Sequence, residues 1–528
     1  MQRAKEKQKS PWYDYLILLC FAFFTLLFFT KSSPLFYLND WVDSNAYFTV
    51  GKGIIHGLIP YRDLFEQKGP LLYFIHAGAY LIERENFTGV YVFQSIGLFI
   101  SLLFAYKTFT LYTTRKIALL MSLFLPPLLL ITLFYRTGDS AEEFSTPFIF
   151  GLLYFTFKII HSQTFQHGLS CYLYQGISLG AVFWMKYTLI GPWIGFFLFI
   201  CCLLLIKKEF VLLLKITLIS LCGFSLISIP ILFYFYYHQA ITDLIDVYFY
   251  FNIFYYPPTT HAFFSIIRSF VFTAGNIIKA PLILKLMLIV GLFSAFCTTV
   301  ISKRLIDRLL LLTLFSFTFI TAYWGGKNYL YYFLILLPFV IYAFIAALKT
   351  IKKRLINITF EITHRHLFIA IFVSMALTFM NNPLILESKI FPNNSTLVNN
   401  KQNISTKTPQ TIQHIFANII KKSNNQTLLN YGFLDYGVYT AGDFLPNVRY
   451  FMKQNISNEI YPDIMDAQNK YIKLNTTQFV IVKTKHPLKE KDVGTALLHK
   501  NYQLVADYSD KKRKQSTIGC LNQKNNMQ

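Results

Sequence analysis

Apolar stretches of similar length, parted by short polar breaks, run through the first 380 residues of the chain. Eleven can be marked off: Leu16–Thr30, Val90–Ala105, Ile117–Phe134, Pro147–Ile160, Tyr172–Leu189, Gly191–Ile206, Val211–Phe235, Leu282–Ile301, Leu309–Tyr323, Leu330–Leu348 and Leu367–Met380. Most approach the roughly 20 residues that a helix needs to cross a hydrocarbon core. Backbone amides in lipid have no water to turn to, so these runs are predicted to be helices and not open strands. A shorter run, Leu71–Ile82, is read as a partial or re-entrant helix. Were it to cross fully, the basic clusters farther along would change sides. The first run is not expected to be a cleavable signal peptide, because Lys31-Ser-Ser-Pro34 offers no small-residue cleavage site.

The pattern changes at Asn381. Pro392–Gln413 is rich in Asn, Thr and Ser and reads as a linker. Beyond it the polarity is ordinary. Thr427–Tyr431, Phe479–Lys483 and Tyr502–Tyr508 read as strands, with Gly432, Gly437 and Gly442 marking turns. The expected fold is mainly α: a polytopic membrane helical bundle of about 11–12 transmembrane helices, with outer-face loop helices and a small C-terminal extracytoplasmic α/β domain. The expected boundaries are a membrane domain at 1–380, with its first outer loop at 31–70, a linker at 381–413 and the α/β domain at 414–528. The Asn-x-Ser/Thr triplets at Asn394, Asn403, Asn425, Asn455 and Asn475 are read as chance in an Asn-rich tail.

Composition agrees with the pattern. The chain is 54% hydrophobic and only 14% charged, with 55 Phe and 35 Tyr, which excludes an ordinary water-soluble domain. The net charge of +23 does not imply a nucleic-acid partner. Its basic residues sit between apolar runs, at Arg3–Lys9, Lys207–Lys208, Lys303–Arg308 and Lys349–Arg354, which is the positive-inside pattern. The protein is thus expected in the cell membrane as a multi-pass chain. Its N-terminus is cytoplasmic, and the Asp40–Pro70 loop, Tyr323–Tyr329 and the tail lie outside. Six of the seven cysteines fall in or beside membrane runs and only Cys520 lies in the tail, so no disulfide framework is expected. No metal-ligand spacing is found and no cofactor is implied by the residues, with a divalent metal left open.

The chemistry-bearing signal is the loop Asp40–Pro70. Acids are scarce in the membrane part, yet Asp40, Asp43, Asp63 and Glu66 gather here with Lys52, Arg62 and Lys68. Charges at a bilayer surface are expensive unless they do chemistry or bind a charged ligand. Asp43 opens a segment able to form an amphipathic helix, on which Asp40, Asp43 and Tyr47 would share one face. The plain reading of Asp43 is a helix cap; the sharper one is a base for an attacking hydroxyl. Lys68 stands just before Gly69-Pro70, where apolar sequence resumes, and is placed to meet a lipid phosphate. Its plain reading is a snorkelling interfacial lysine. A second acidic patch, Arg136 to Glu143, faces the same side; Glu142 and Glu143 there are either substrate contacts or simple partners of a helix dipole. A third outer segment, Tyr323 to Tyr332, offers Lys327 as a phosphate contact and Tyr331 among aromatics suited to a sugar; the alternative is an interfacial aromatic belt. The segment Tyr237–Phe263 reads as a loop with an amphipathic helix that covers such a site.

The order Asp43-Ser-x-x-Tyr47, Gly51-Lys-Gly, Gly57-x-x-Pro60-Tyr-x-Asp63, Lys68-Gly-Pro70, Glu142-Glu143 and Tyr331-Tyr332-x5-Pro338 resembles the bacterial membrane glycosyltransferases of the protein O-mannosyltransferase and aminoarabinose transferase superfamily. The resemblance is tight over residues 40–75 and loose elsewhere. It implies the C-type glycosyltransferase fold, a polyprenyl-phosphate sugar donor and inversion at the anomeric carbon. The acceptor is a glycan, lipid or protein. By the same resemblance Asp43 is the base or the group that orients the acceptor, Lys68 holds the donor phosphate, and Glu142 or Glu143 supplies a further acid; Arg62 and Lys327 are the further phosphate contacts that the residues themselves offer. Asp40, Tyr47, Tyr61, Asp63 and Tyr331 complete the expected substrate contacts. The chain departs from the pattern at Ser44, where better-known members carry a glutamate, and at Ala46, where the aminoarabinose branch carries an arginine; Arg62 is the candidate to replace the missing positive charge.

The competing class is a transporter, flippase or polymerase of polyprenol-linked saccharides. The membrane runs hold few ionisable residues, Lys186 being the main exception, whereas a carrier usually needs charged or broken helices at mid-depth. A structural scaffold leaves the loop charges unexplained.

Overall fold

Every one of the eleven apolar runs lies in helical structure. In a computed structural model of the chain, residues 12–257, 262–354, 363–391, 396–397, 410–484, 496–509 and 517–524 are described. The basic cluster Arg3–Lys9, most of the linker Pro392–Gln413 and the triplets at Asn394 and Asn403 lie outside the described residues. The helices are α1 (Trp12–Phe29), α2 (Val42–Ile55), α3 (Pro70–Ile82), α4 (Thr88–Thr110), α5 (Arg115–Leu123), α6 (Pro126–Leu129), α7 (Thr132–Tyr135), α8 (Ala141–Ser162), α9 (Leu169–Met185), α10 (Gly191–Ile206), α11 (Phe210–Tyr237), α12 (Ile241–Leu244), α13 (Ala262–Lys279), α14 (Leu282–Phe296), α15 (Leu305–Tyr323), α16 (Ile341–Arg354) and α17 (His364–Asn381). Among the described residues six segments are long and apolar enough to cross a membrane: α1, α4, α8, α11, α15 and the composite Leu330–Ile351. The chain is a multi-pass membrane protein.

Two runs expected as plain helices are broken. Pro126 and Pro127 lack the amide hydrogen that a helix interior needs, and the run Ile117–Phe134 divides into α5, α6 and α7. Leu330–Val340 winds as a 3-10 helix with Pro338 near its end before passing into α16. The helix α3 is short, with 13 residues, as the reading of a partial helix expected. It packs against α2 and α4 and does not stand alone as a span.

Polar side chains mark the two ends of the bundle. At one end Asp14 of α1 accepts from Arg115 and from the Tyr106 hydroxyl of α4, while Arg304 forks onto Asp307. The other end carries the N-terminus of α8, the C-termini of α9 and α15, the start of the 3-10 segment and the docked C-terminal unit. Between the ends the helices touch through small residues. On α9 and α11, Gly176 and Gly223 face each other so closely that a Cβ on Gly176 would lie 2.0 Å from the Ser220 carbonyl oxygen. Lipid supplies no hydrophobic drive between helices, so such close approach is what holds them together.

The C-terminal unit is α/β, as expected. It comprises α18 (Ile412–Lys421), β1 (Leu428–Tyr431), α19 (Val438–Gly442), α20 (Asp463–Lys473), β2 (Phe479–Thr484), α21 (Ala496–Asn501), β3 (Tyr502–Ser509) and β4 (Thr517–Gln523). The sheet order is β1-β2-β4-β3, with β1 parallel to β2 and the other pairs antiparallel. The strand β4 was not anticipated. Its apolar positions are few and it follows a basic run, so neither alternation nor turn residues announce it.

Replacing Gly176 with leucine is expected to destabilise the bundle by about 1–3 kcal/mol through overpacking. The melting midpoint in detergent, read by tryptophan fluorescence, should fall. Gly275→Ala, where the added Cβ meets open space, should leave it level or raise it.

Candidate functional site

The helix α2 is polar in sequence yet buried on nearly all sides, from Ser44 through Gly53. Gly51 lies against the backbone of His76 on α3, with room for no side chain. Ser44 Oγ donates towards the carbonyls of Gly138 and Asp139, at 3.5 and 3.4 Å. The expected amphipathic helix is therefore a buried one. It begins at Val42, so Asp40 lies outside it and shares no helical face with Asp43 and Tyr47. Asp40 instead accepts from Lys31 Nζ at 2.7 Å, and Lys31 also pairs with Glu387 at 2.5 Å. That clamp ties the first loop to the segment after α17.

Asp43 stays half-buried at the first turn of α2. The Tyr331 hydroxyl approaches its Oδ2 at 3.5 Å, and the Tyr331 ring packs edge-on against Trp41. Tyr47, one turn along, is fully buried. Burial first, then the Asp43, Glu66 and Glu142 carboxylates, push its phenol well above the ordinary value, so it remains neutral.

Lys68 and Lys186 are brought together by the backbone. Gly69 N–H donates to the Met185 carbonyl at 3.0 Å, and a Cβ on Gly69 would lie 2.1 Å from the Trp184 carbonyl oxygen. The residues flanking this contact are the two lysines. Tyr61 donates its hydroxyl to the Lys68 carbonyl at 2.6 Å, and Glu66 accepts from the Lys68 amide at 2.8 Å and from the Tyr73 hydroxyl. Tyr61 thus holds the loop backbone. Burial lowers the pKa of the Lys68 ammonium, but the Glu66, Asp43 and Glu142 carboxylates outweigh it and the net direction is up. Lys186 Nζ pairs with Glu142 Oε1 at 2.6 Å and sits 3.6 Å from the centre of the Tyr332 ring.

A cavity of about 440 Å³ opens between these groups, lined among others by Lys68, Lys186, Lys327, Asn252, Tyr256 and Tyr332. Lys327 Nζ lies 4.7 Å from the centre of the Tyr256 ring, and burial lowers its pKa. One wall is Ile245–Tyr255, a π-helical stretch following α12, in the segment expected to cover the site. Its Asn252 donates to the Gln67 carbonyl at 2.7 Å, and its Tyr248 hydroxyl accepts from the Tyr187 amide at 3.0 Å. The wider helix is a form that recurs at functional sites.

Other expected contacts lie elsewhere. Arg62 forks onto Asp63, both bonds 3.0 Å, and reaches the His238 carbonyl at 2.9 Å. Asp63 also accepts from the Ile59 amide at 2.8 Å. Each satisfies its neighbour at the rim, so neither reaches the cavity. Glu143 accepts from Gln94, from Tyr135 and from the Asp139 amide, and its own amide is capped by Ser140 Oγ. It belongs to the helix start, and Glu142 alone of the two turns to the lysines. The spacing Ser140-x-x-Glu143 is a capping signature that would have separated them in the sequence. Sequence reasoning noted Lys186 only as an ionisable exception in a membrane run; that exception was itself the signal. It also passed over His76, whose Nδ1 bonds the Leu72 carbonyl at 2.8 Å while Nε2 faces Asp139 Oδ1 at 2.9 Å. That pair fastens α3 to the start of α8.

No family model matches the chain. No curated protein matches it either. Solved structures do resemble it. Crystal structures of ArnT from Cupriavidus metallidurans, bound to undecaprenyl phosphate and in the apo state, each match at a TM-score of 0.60 and 12% identity, over 97% of this chain and 98% of that one. The Archaeoglobus fulgidus oligosaccharyltransferase in its apo form matches at a TM-score of 0.44 and 12% identity, over 90% of this chain and 70% of that one. The ArnT likeness shows the fold: the architecture is the C-type one that the first-loop motif resembles.

Binding of dodecyl phosphate by the purified protein tests the cavity. Lys68→Met is expected to weaken it about tenfold, near 1.4 kcal/mol, and Lys186→Met by a similar factor. Arg62→Gln should leave the affinity within about twofold.

Proposed function

We propose that this protein is a membrane glycosyltransferase that moves a sugar from a polyprenyl-phosphate donor to an extracytoplasmic acceptor. The observation that carries the reading is the cavity at one end of the bundle, cationic through Lys68, Lys186 and Lys327; Asp43 lies outside its lining but near enough for its carboxylate to raise the pKa of the Lys68 ammonium. A phosphate on a lipid chain fits both its charge and its place. The match to ArnT, one of whose structures holds undecaprenyl phosphate, supports the same donor class. The acceptor would be a hydroxyl or phosphate of a wall polysaccharide, teichoic acid, lipid or protein. The basic residues Arg115, Lys207, Arg304 and Lys349 lie towards the opposite end, which supports placing that end in the cytoplasm of a cell-membrane protein. The C-terminal unit then faces outward with the site.

In this reading the acceptor oxygen attacks the anomeric carbon from the side opposite the phosphate. Its bond to that carbon forms as the carbon–oxygen bond to the phosphate breaks, with inversion. The bonding pair stays on the phosphate oxygen, and the acceptor proton passes to Asp43. A phosphate is already a fair leaving group, so the main need is cationic charge where the dianion develops. Lys68 and Lys186 supply it, with Lys327 at the cavity mouth. Glu142 holds Lys186 in place through their 2.6 Å ion pair. No step is assigned to a metal ion. Lys186 and Glu142 sit at helix ends and not at mid-depth, which favours surface chemistry over carriage.

Given a polyprenyl-phosphate sugar and an acceptor in detergent, the purified protein is expected to release free polyprenyl phosphate; a carrier, with no compartment to cross, would release none. Asp43→Asn should lower kcat by about 100-fold or more while polyprenyl phosphate still binds. A folded Asp43→Asn protein as active as the parent would remove Asp43 as the base.

A further inference from the structure

We infer that the C-terminal unit positions the proposed catalytic carboxylate: its Asp435–Asp443 segment grips the face of α2 turned away from Asp43 and fixes the axial setting of that helix. The inference rests on the transferase reading for what Asp43 does. The mechanical link does not.

Asn45, Thr49 and Lys52 follow one another at four- and three-residue spacing, so they share a face of α2. Asp43 and Tyr47 form a separate row. All three residues of the first face meet the C-terminal unit. Thr49 Oγ1 donates to Asp435 Oδ2 at 2.7 Å, with both side chains wholly buried. Lys52 Nζ donates to the Tyr439 carbonyl at 2.8 Å and lies 3.4 Å from Asp443 Oδ1. Asn45 Oδ1 is so close to Gly437 that a Cβ there would come within 2.8 Å, and Gly437 has a φ of +92° that favours glycine in any case. Asp443 also accepts from the Tyr80 hydroxyl of α3 at 3.1 Å, so one carboxylate ties both loop helices to the unit.

The grip has a rigid base. Asp435 Oδ1 accepts from the Gly437 amide at 2.9 Å and from Asn430 of β1 at 3.4 Å. The sheet thereby holds Asp435, Asp435 holds Thr49, and Thr49 sits less than two turns from Asp43 along one helix. Burial shows how committed these groups are. It draws the Lys52 ammonium down to about 8 against the opposing pull of Asp443, and it raises Asp435. A contact made only to bury surface would not enclose ionisable groups in this way. The cavity lysines stand on the loop after α2, at the end of α9 and after α15; the C-terminal unit meets that side through other residues, Phe65 N–H donating to the Arg449 carbonyl at 2.9 Å, so changes at Thr49 and Lys52 leave those donor-side contacts in place.

Thr49→Val keeps the shape and removes the hydroxyl donor, while Thr49→Ser keeps the donor. Lys52→Met, which keeps the length of the side chain and removes its donors and charge, is the second variant, with the folded fraction measured alongside. Turnover of a polyprenyl-phosphate sugar and binding of polyprenyl phosphate are measured on each full-length protein. Thr49→Val and Lys52→Met are each expected to lower kcat about tenfold, because small misplacements of a reacting group are costly. The polyprenyl phosphate Kd should stay within about twofold, and Thr49→Ser should restore most of kcat. Variants with parental kcat overturn the inference. So does a loss of kcat and binding together, in step with the folded fraction, which would mark a purely structural contact. If the parent itself turns over no donor, the transferase reading fails separately. Hydrogen exchange then decides the link: amides 43–49 exchange about tenfold faster in Thr49→Val if it holds, and at the parental rate if it does not.

Discussion

The site end of this molecule depends on one backbone contact. Gly69 donates its amide to the Met185 carbonyl, and it does so at a distance that only glycine allows. Through that contact the first loop meets the end of α9, and two lysines far apart in sequence become neighbours at one end of the bundle. Like charges this close repel, and more strongly where water is scarce. The protein balances the pair only in part. Lys186 has Glu142 at 2.6 Å, while neither Lys68 nor Lys327 has a carboxylate within ion-pair distance among the described residues. Excess positive charge facing a cavity with largely apolar walls is suited to an anion carried on a lipid.

The bundle was legible because its pattern is coarse. Apolar runs of spanning length leave the backbone no choice but helix, and each run is found in one. The breaks within them were less visible. Pro126-Pro127 announces one, but nothing in Leu330–Val340 before Pro338 marks a 3-10 winding, which tertiary packing imposes. In the tail, three strands carried dense apolar residues and were found; β4, with Gly519 and Asn522 among its seven residues, was not.

The site was legible in its chemistry and not in its partners. Asp43 and Lys68 stand out by charge where charge is costly; Lys68 lines the cavity, while Asp43 lies outside its lining and acts on Lys68 through its charge. Arg62 and Asp63 drew notice for the same reason, yet they satisfy each other. Sequence shows which charges exist, whereas the fold decides which are already spent on a neighbour. Asp40 illustrates this again. Its partner Lys31 precedes the helix start and its second anchor, Glu387, arrives from beyond α17, a pairing no local spacing can reveal.

The adjacent acids Glu142 and Glu143 show how the fold makes that division. Neighbouring residues at a helix start point about 100° apart, so one must face the bundle's frame if the other faces the cavity. Glu143 takes three donors and closes the turn that begins α8. A carboxylate so saturated gains nothing from a substrate. Glu142 has Lys186 as its hydrogen-bond donor, and among the described residues Asp43 has only the long contact from Tyr331. Around this cavity the acids that build the frame are those with full complements of donors. The acids that the frame leaves with few donors are the ones that still have oxygens to offer, and Asp43, with its one long contact from Tyr331 among the described residues, is the clearest of these.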